Sequence, residues 1–186
     1  LLENLEFPLA IPSANISSAL SPVSSADVFD EFGDKIKFIL DGGTTNIGLE
    51  STVINLYGKI KILRPGSITN HQISRVLKKK ISILKKTNKI ISPGLLKRHY
   101  SPGIPIKLNC LKKEDKAAFI VFGKKYKNSK GVFNLSKNGN LREAARKLYK
   151  TLREIKNLGY KKINIVKIPN SKIGIAINDR LRKAAY

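Results

Sequence analysis

Residues 117–185 constrain the fold more than any other part of the chain. Leu141, Ala145, Leu148, Leu152 and Ile155 recur at three- and four-residue spacing, the period of an amphipathic helix over Leu141 to Leu158, and Gly159 follows as its cap. An apolar strand, Ala117 to Phe122, precedes this helix. A second, Ile163 to Ile168, follows it, and Ile175 to Ala185 reads as a closing helix. Strand, helix, strand, helix in this order predicts a small parallel α/β unit. It holds no GxGxxG, so no dinucleotide is assigned to it.

The preceding half reads differently. Pro8 to Pro12 is a short apolar strand that runs into a polar loop from Ser13 to Ser21. Ser25 to Phe32 forms a short helix, with Ser24 or Ser25 as N-cap and Gly33 just past its end. Ile36 to Leu40 is read as a strand entering the turn Asp41-Gly42-Gly43. Ser51 to Tyr57 and Ile60 to Leu63 form a hairpin through Gly58-Lys59. Thr69 to Leu77 reads as a helix with Ile73, Val76 and Leu77 on one face. Lys78 to Pro105 lacks periodicity and is punctuated by Pro93-Gly94, Pro102-Gly103 and Pro105, as a linker is. Ile81, Ile83 and Leu84 could still add a short strand.

Charge divides the chain at nearly the same place. The net charge of +23 comes from 36 Lys+Arg and 13 Asp+Glu, yet residues 1–70 hold 5 basic and 8 acidic residues, leaving +26 for 71–186. Clustered cations suit a phosphate backbone. The excess is 28 Lys to 8 Arg, however, and arginine makes most specific phosphate and base contacts, so drift in composition explains it better. A hydrophobic content of 41% excludes a disordered polybasic tail. No apolar run reaches the roughly 20 residues of a membrane span. One cysteine, Cys110, cannot form an internal disulfide, which fits a reducing cytoplasm, and with no His or acidic partner nearby it is read as structural. The two histidines leave little scope for a Cys/His metal site. A complete translation product starts with Met; this chain has none and opens on Leu1, so it is expected to be a fragment lacking its N-terminus.

Four segments can carry chemistry. Ser13-Ala14-Asn15, with Ser17, Ser18 and Ser21 behind, either lets small hydroxyls approach a phosphate or caps the next helix. Asp41 to Val53 places Gly42, Gly43 and Gly48 ahead of Glu50-Ser51-Thr52: a polar-ligand site, or a glycine turn between strands. Its spacing is that of neither a Walker A loop nor a dinucleotide fingerprint. Leu63-Arg64-Pro65-Gly66 sets an arginine before a rigid turn, suited to phosphate or carboxylate, or simply on the surface. Lys97 to Pro102 concentrates Arg98, His99, Tyr100 and Ser101 in the linker, where a loop can close over a site; a lone histidine is otherwise ordinary.

Taken in order, PSANIS at 12–17, SP at 21–22, DGG at 41–43, GLESTVINL at 48–56, LRPGSI at 63–68 and SPGLLKRHYSPGIPI at 92–106 are collinear with the threonylcarbamoyl-AMP synthase family in its longer, two-domain form. NLREAARKLYKTLREI at 140–155 and AINDRLRKAA at 176–185 continue the match. The chain resembles that family over nearly its whole length. The resemblance implies α/β architecture: the C-terminal half of a YrdC-like open twisted α/β catalytic domain over 1–78, a lid-like linker over 79–105, and a small Rossmann-like parallel α/β domain over 106–186.

It further implies a cytoplasmic nucleotidyltransferase that joins L-threonine, bicarbonate and ATP into threonylcarbamoyl-AMP and pyrophosphate. A divalent ion such as Mg2+ would ride on the phosphates, and the product would supply the proteins that transfer threonylcarbamoyl to tRNA. By the same resemblance Ser13, Ser21, Arg64 and Tyr100 are ATP contacts, and Asn15 shapes the first loop. The Ile11 backbone and the Ser51 hydroxyl are threonine contacts, while Arg98 and His99, neighbours of the Tyr100 contact, rank below it. No protein ligand for a metal is identified. Two departures stand out. Ser18 and Val23 replace the family's usual Gly and Thr, and Ser18 is expected to cost backbone freedom. The family's basic Lys-x-Arg segment and one wall of its threonine pocket lie upstream of Leu1, so the fragment alone is expected to be inactive. The competing reading is a non-catalytic RNA- or ribosome-binding module using the basic half, with weak RNA binding as an added role in either case. An enzyme needs polar groups converging on one cavity, whereas a binding module needs lysines spread along a face.

Overall fold

The structure, a computed structural model, describes residues 2–84 and 99–186. The first half carries α1 (Ser25–Phe32), β1 (Val53–Asn55), β2 (Lys61–Arg64), α2 (Asn70–Val76) and β3 (Ser82–Ile83). The second carries β4 (Ile106–Lys107), β5 (Ala118–Val121), β6 (Val132–Asn134), α3 (Leu141–Asn157), β7 (Ile163–Ile165) and α4 (Gly174–Ala184). Two sheets result. The first runs β1-β2-β3, with β1 antiparallel and β3 parallel to β2; the second runs β4-β7-β5-β6 and is parallel throughout.

The parallel unit forms for the reasons its pattern suggests. Every residue of β5 and β7 is buried, as in sheets with helices on their faces. Asn164 interrupts β7 but is satisfied, accepting from the Glu114 amide and donating to Cys110 Sγ at 3.3 Å each. That contact gives Cys110 its structural place. α3 starts where the Asn140 side chain accepts from the amides of Arg142 and Glu143, and it packs against α4. Its buried face is wider than the expected stripe, taking in Ala144, Tyr149 and Thr151.

Several expectations of the first half are corrected. Ile36 to Leu40 is not a strand: it has no pairing partner among the described residues, and Phe38 is 89% exposed. Pro8 to Pro12 is likewise irregular, consistent with prolines that cannot donate to a ladder. On α2 only Ile73 is buried, packed with Ile62 and Ile81, while Val76 is 81% exposed. The helix is held instead by a capping box between Thr69 and Gln72. β4 and β6, two and three residues long, carry too little periodicity to be read in advance.

The main core joins the halves. Leu20, Val23 and Tyr100 belong to the same buried cluster as β5, α3 and β7. Arg153 of α3 ties α1 down, with Nη2 donating to the Leu20 carbonyl at 2.7 Å and lying near Glu31, and Nε lying near Asp27. Among the described residues no helix is long and apolar enough to cross a membrane.

Candidate active site

Gly66 explains why the two polar motifs of the first half meet. A Cβ there would lie 2.5 Å from the Thr52 nitrogen and 2.7 Å from the Glu50 oxygen, so only glycine lets the Pro65-Gly66 turn lie on the Glu50–Thr52 backbone. Arg64, at the end of β2 opposite Val53, is thereby aimed at Ser51. Its Nε donates to the Ser51 carbonyl at 3.0 Å and its Nη2 reaches Ser51 Oγ at 3.4 Å. Gly48, at φ +73°, makes a similar approach to α3, where an added Cβ would lie 2.7 Å from the Arg146 Cα.

Glu50 is the junction of the site. Its Oε1 accepts from Ser21 Oγ at 2.5 Å and from the Tyr149 hydroxyl at 3.0 Å, and its Oε2 accepts from Arg180 Nε at 2.6 Å. Burial raises the Glu50 pKa, but the Arg180 charge and the donated hydrogen bonds outweigh it and hold the carboxyl below its ordinary 4.5. Burial alone would depress the Arg180 pKa; the Glu50 carboxylate more than reverses this, and Arg180 stays charged. A cavity of about 470 Å³ opens beside Glu50, lined by Ser21, Val23, Asn46, Leu49 and Tyr149 among others, within the size range of small-molecule sites.

The linker enters the same place. Ser101 donates its amide to the Ser18 carbonyl at 2.9 Å, and His99 donates its amide to the Lys183 carbonyl at 3.2 Å, strapping the segment between the first loop and α4. Tyr100 between them is 1% exposed and sits at φ +60°, a strained conformation for a bulky residue. The Arg180 guanidinium lies over its ring at 4.9 Å, and the rings of Tyr149 and His99 flank it at 6.0 and 3.9 Å. The Tyr100 hydroxyl is buried with no hydrogen-bond partner among the described residues, as is His99 Nδ1. Burial pushes the phenol pKa up against the pull of Arg180 and Arg64. Burial and the cations of Lys183, Arg180 and Arg64 hold His99 below its ordinary 6.5, despite Glu50.

Of the residues singled out in the sequence, Ser21, Ser51, Arg64, Tyr100 and His99 converge around Glu50. Asn15 shapes its loop by donating to the Ile16 carbonyl at 2.9 Å, and its Oδ1 is buried without a partner among the described residues. Ile11 and Ser13 are exposed. Arg98 lies outside the described residues, with the rest of 85–98. Sequence reasoning missed Glu50, Tyr149 and Arg180 as site members. Each lay within a motif named above, and the signal was a carboxylate amid glycine and hydroxyl residues in a chain with a large excess of cations.

These features define a two-part α/β protein, half mixed sheet and half parallel, with a polar site where residues 99–101 are strapped between the first loop and α4. A family model described as threonylcarbamoyl-AMP synthase, C-terminal domain, matches residues 68–186, and one described as telomere recombination (Sua5, YciO, YrdC) matches residues 1–66. The chain belongs to the threonylcarbamoyl-AMP synthase family. It is 34% identical to the threonylcarbamoyl-AMP synthase of Pyrococcus abyssi over all of this chain and 60% of that protein. It is 32% identical to that of Bacillus subtilis over all of this chain and 59% of that protein. The chain thus spans under two thirds of the length of these relatives. The crystal structure of P. abyssi Sua5 complexed with L-threonine superposes with a TM-score of 0.80 at 33% identity, covering 94% of this chain and 56% of that one.

Proposed function

We propose that the protein carrying this chain is a cytoplasmic nucleotidyltransferase making threonylcarbamoyl-AMP from L-threonine, bicarbonate and ATP, for threonylcarbamoyladenosine formation in tRNA. The observation that carries this reading is the convergence of Ser51, Arg64 and Tyr100, with the Tyr100 hydroxyl buried and unpartnered among the described residues beside two arginines. A carbamate oxygen, formed when the threonine amine adds bicarbonate carbon with loss of water, attacks the α-phosphorus of ATP, and the bond to pyrophosphate breaks. Such a transfer needs placed charge more than a protein nucleophile.

In this reading Arg64 and the Tyr100 hydroxyl donate to the triphosphate, Ser13 lines its path and Asn15 holds that loop. Ser51 and the Ile11 backbone orient threonine, and His99 supports the Tyr100 contact it packs against. Ser21 gives its one hydroxyl proton to Glu50, so it offers a nucleotide only lone pairs, which suit a ribose hydroxyl or adenine amine better than a phosphate. The described residues form no group of three or more His, Cys, Asp or Glu that could hold a metal. They do not fit a resident-metal site, and Mg2+ enters as part of the ATP substrate. Strapping the linker over the site keeps water from the labile product. Polar groups meeting at one place favour an enzyme over a lysine-faced RNA-binding module, and weak RNA affinity remains an added property.

The test is pyrophosphate release by the intact protein given threonine, bicarbonate and ATP. Release is expected to require threonine, and Arg64→Ala is expected to lower kcat/KM by about 100-fold. Release unchanged without threonine overturns the assignment. The chain alone, which spans about 60% of its relatives' length, is expected to release little or none.

A further inference from the structure

Arg180 is the largest fully buried side chain among the described residues. A guanidinium out of water is costly unless every direction is answered, and an apolar residue in its place is often as stabilising. Here its partners come from three parts of the molecule. Nε donates to Glu50 Oε2 at 2.6 Å, Nη2 points to the Glu50 carbonyl at 3.4 Å, Nη1 donates to Asp179 at 2.7 Å, and the plane covers the Tyr100 ring. Asp179 is in turn held by Lys183, whose carbonyl takes the His99 amide.

Glu50 precedes Ser51, which Arg64 holds, and the Glu50 carboxylate also holds Ser21. One side chain of α4 therefore sets the position of the loop bearing Ser51, of Ser21 and of the linker tyrosine. No residue of α4 is among the groups assigned to substrate. We infer that Arg180 is a positioning residue for the reaction, the group through which the C-terminal domain fixes Glu50 and Tyr100 and so shapes the threonine and ATP sites. This rests on the function proposed above.

Simple loss of Arg180 leaves Glu50 buried and unpaired, so Arg180→Met alone can fail by unfolding. The decisive variant is Arg180→Met with Glu50→Gln, which removes both charges together. In the intact protein it is expected to melt within a few degrees of the parent, while kcat/KM for threonine falls by about 10-fold or more. Arg180→Lys is expected to recover part of that loss, since it restores the charge but not the fork. Amide hydrogen exchange gives a readout independent of activity: residues 48–52 and 99–104 are expected to exchange faster in the double variant, with β5 and β7 unchanged. Parental kinetics with parental exchange in the double variant overturn the inference. If the parent itself shows no threonine-dependent release, the proposed function fails, and exchange at these two segments alone decides whether Arg180 positions them.

Discussion

Tyr100 shows at the scale of one residue how a site can be built against stability. Its backbone is left-handed and its hydroxyl buried and unpartnered among the described residues, each a cost. Tyr100→Phe is expected to leave the fold as stable as before, or more stable by up to about 1 kcal/mol. The same change should raise the KM for ATP several-fold, so thermal melting and ATP titration of initial rates should move apart. Ser18 is a second strained residue, at φ +68°, where the family resemblance led to an expectation of glycine and of lost backbone freedom. Its carbonyl takes the Ser101 amide, so the strain lies in the strap itself. Ser18→Val, β-branched at positive φ, should destabilise by about 1–2 kcal/mol relative to Ser18→Gly, read from denaturant midpoints.

At the scale of elements, α3 supports the site from behind. Its N-terminus is fixed by Asn140 and buttressed by Ser136, whose hydroxyl donates to Glu143 at 2.6 Å and accepts from the Asn140 amide. Asn140→Ala should cost about 1–2 kcal/mol in chemical denaturation. α3 was legible because seventeen residues repeat one period, and the hairpin because Gly58 marks its turn. Ile36 to Leu40 looked equally apolar, yet a strand exists only where another strand pairs with it, which no local pattern reports. α2 misled for a related reason: its apolar residues span a face, but the three-stranded sheet covers only Ile73. The Gly66 contact was visible as a turn and not as an approach, because the backbone it touches lies more than a dozen residues earlier.

At the scale of the whole molecule, two buried titrations link pH to the joining of the halves. His99 binds a proton less readily folded than unfolded, so acidification below its ordinary 6.5 favours the unfolded chain. Glu50, held below 4.5, stabilises the fold above that value and loses the effect as pH falls through its depressed pKa. Melting temperature should therefore decline as pH falls below 6.5 and decline again below 4.5. The limb below 4.5 should flatten in the Arg180→Met, Glu50→Gln variant. Of the candidate site, the motifs bearing Ser21, Ser51, Arg64 and Tyr100 were legible as local chemistry. The Glu50–Arg180 pair was not, since a single sequence holds no trace of which cation a distant carboxylate meets.

That pair spans 130 positions of chain, which sets an order in time. Contacts of such separation form late, because the intervening loop must close first. The parallel sheet and α3 can assemble from nearer partners, whereas the Glu50 loop has no counter-charge until α4 docks. In pulse-labelling during refolding, amides of β5, α3 and β7 should gain protection before those of residues 48–52. The loop around Glu50 would then be the last part of the molecule to become itself.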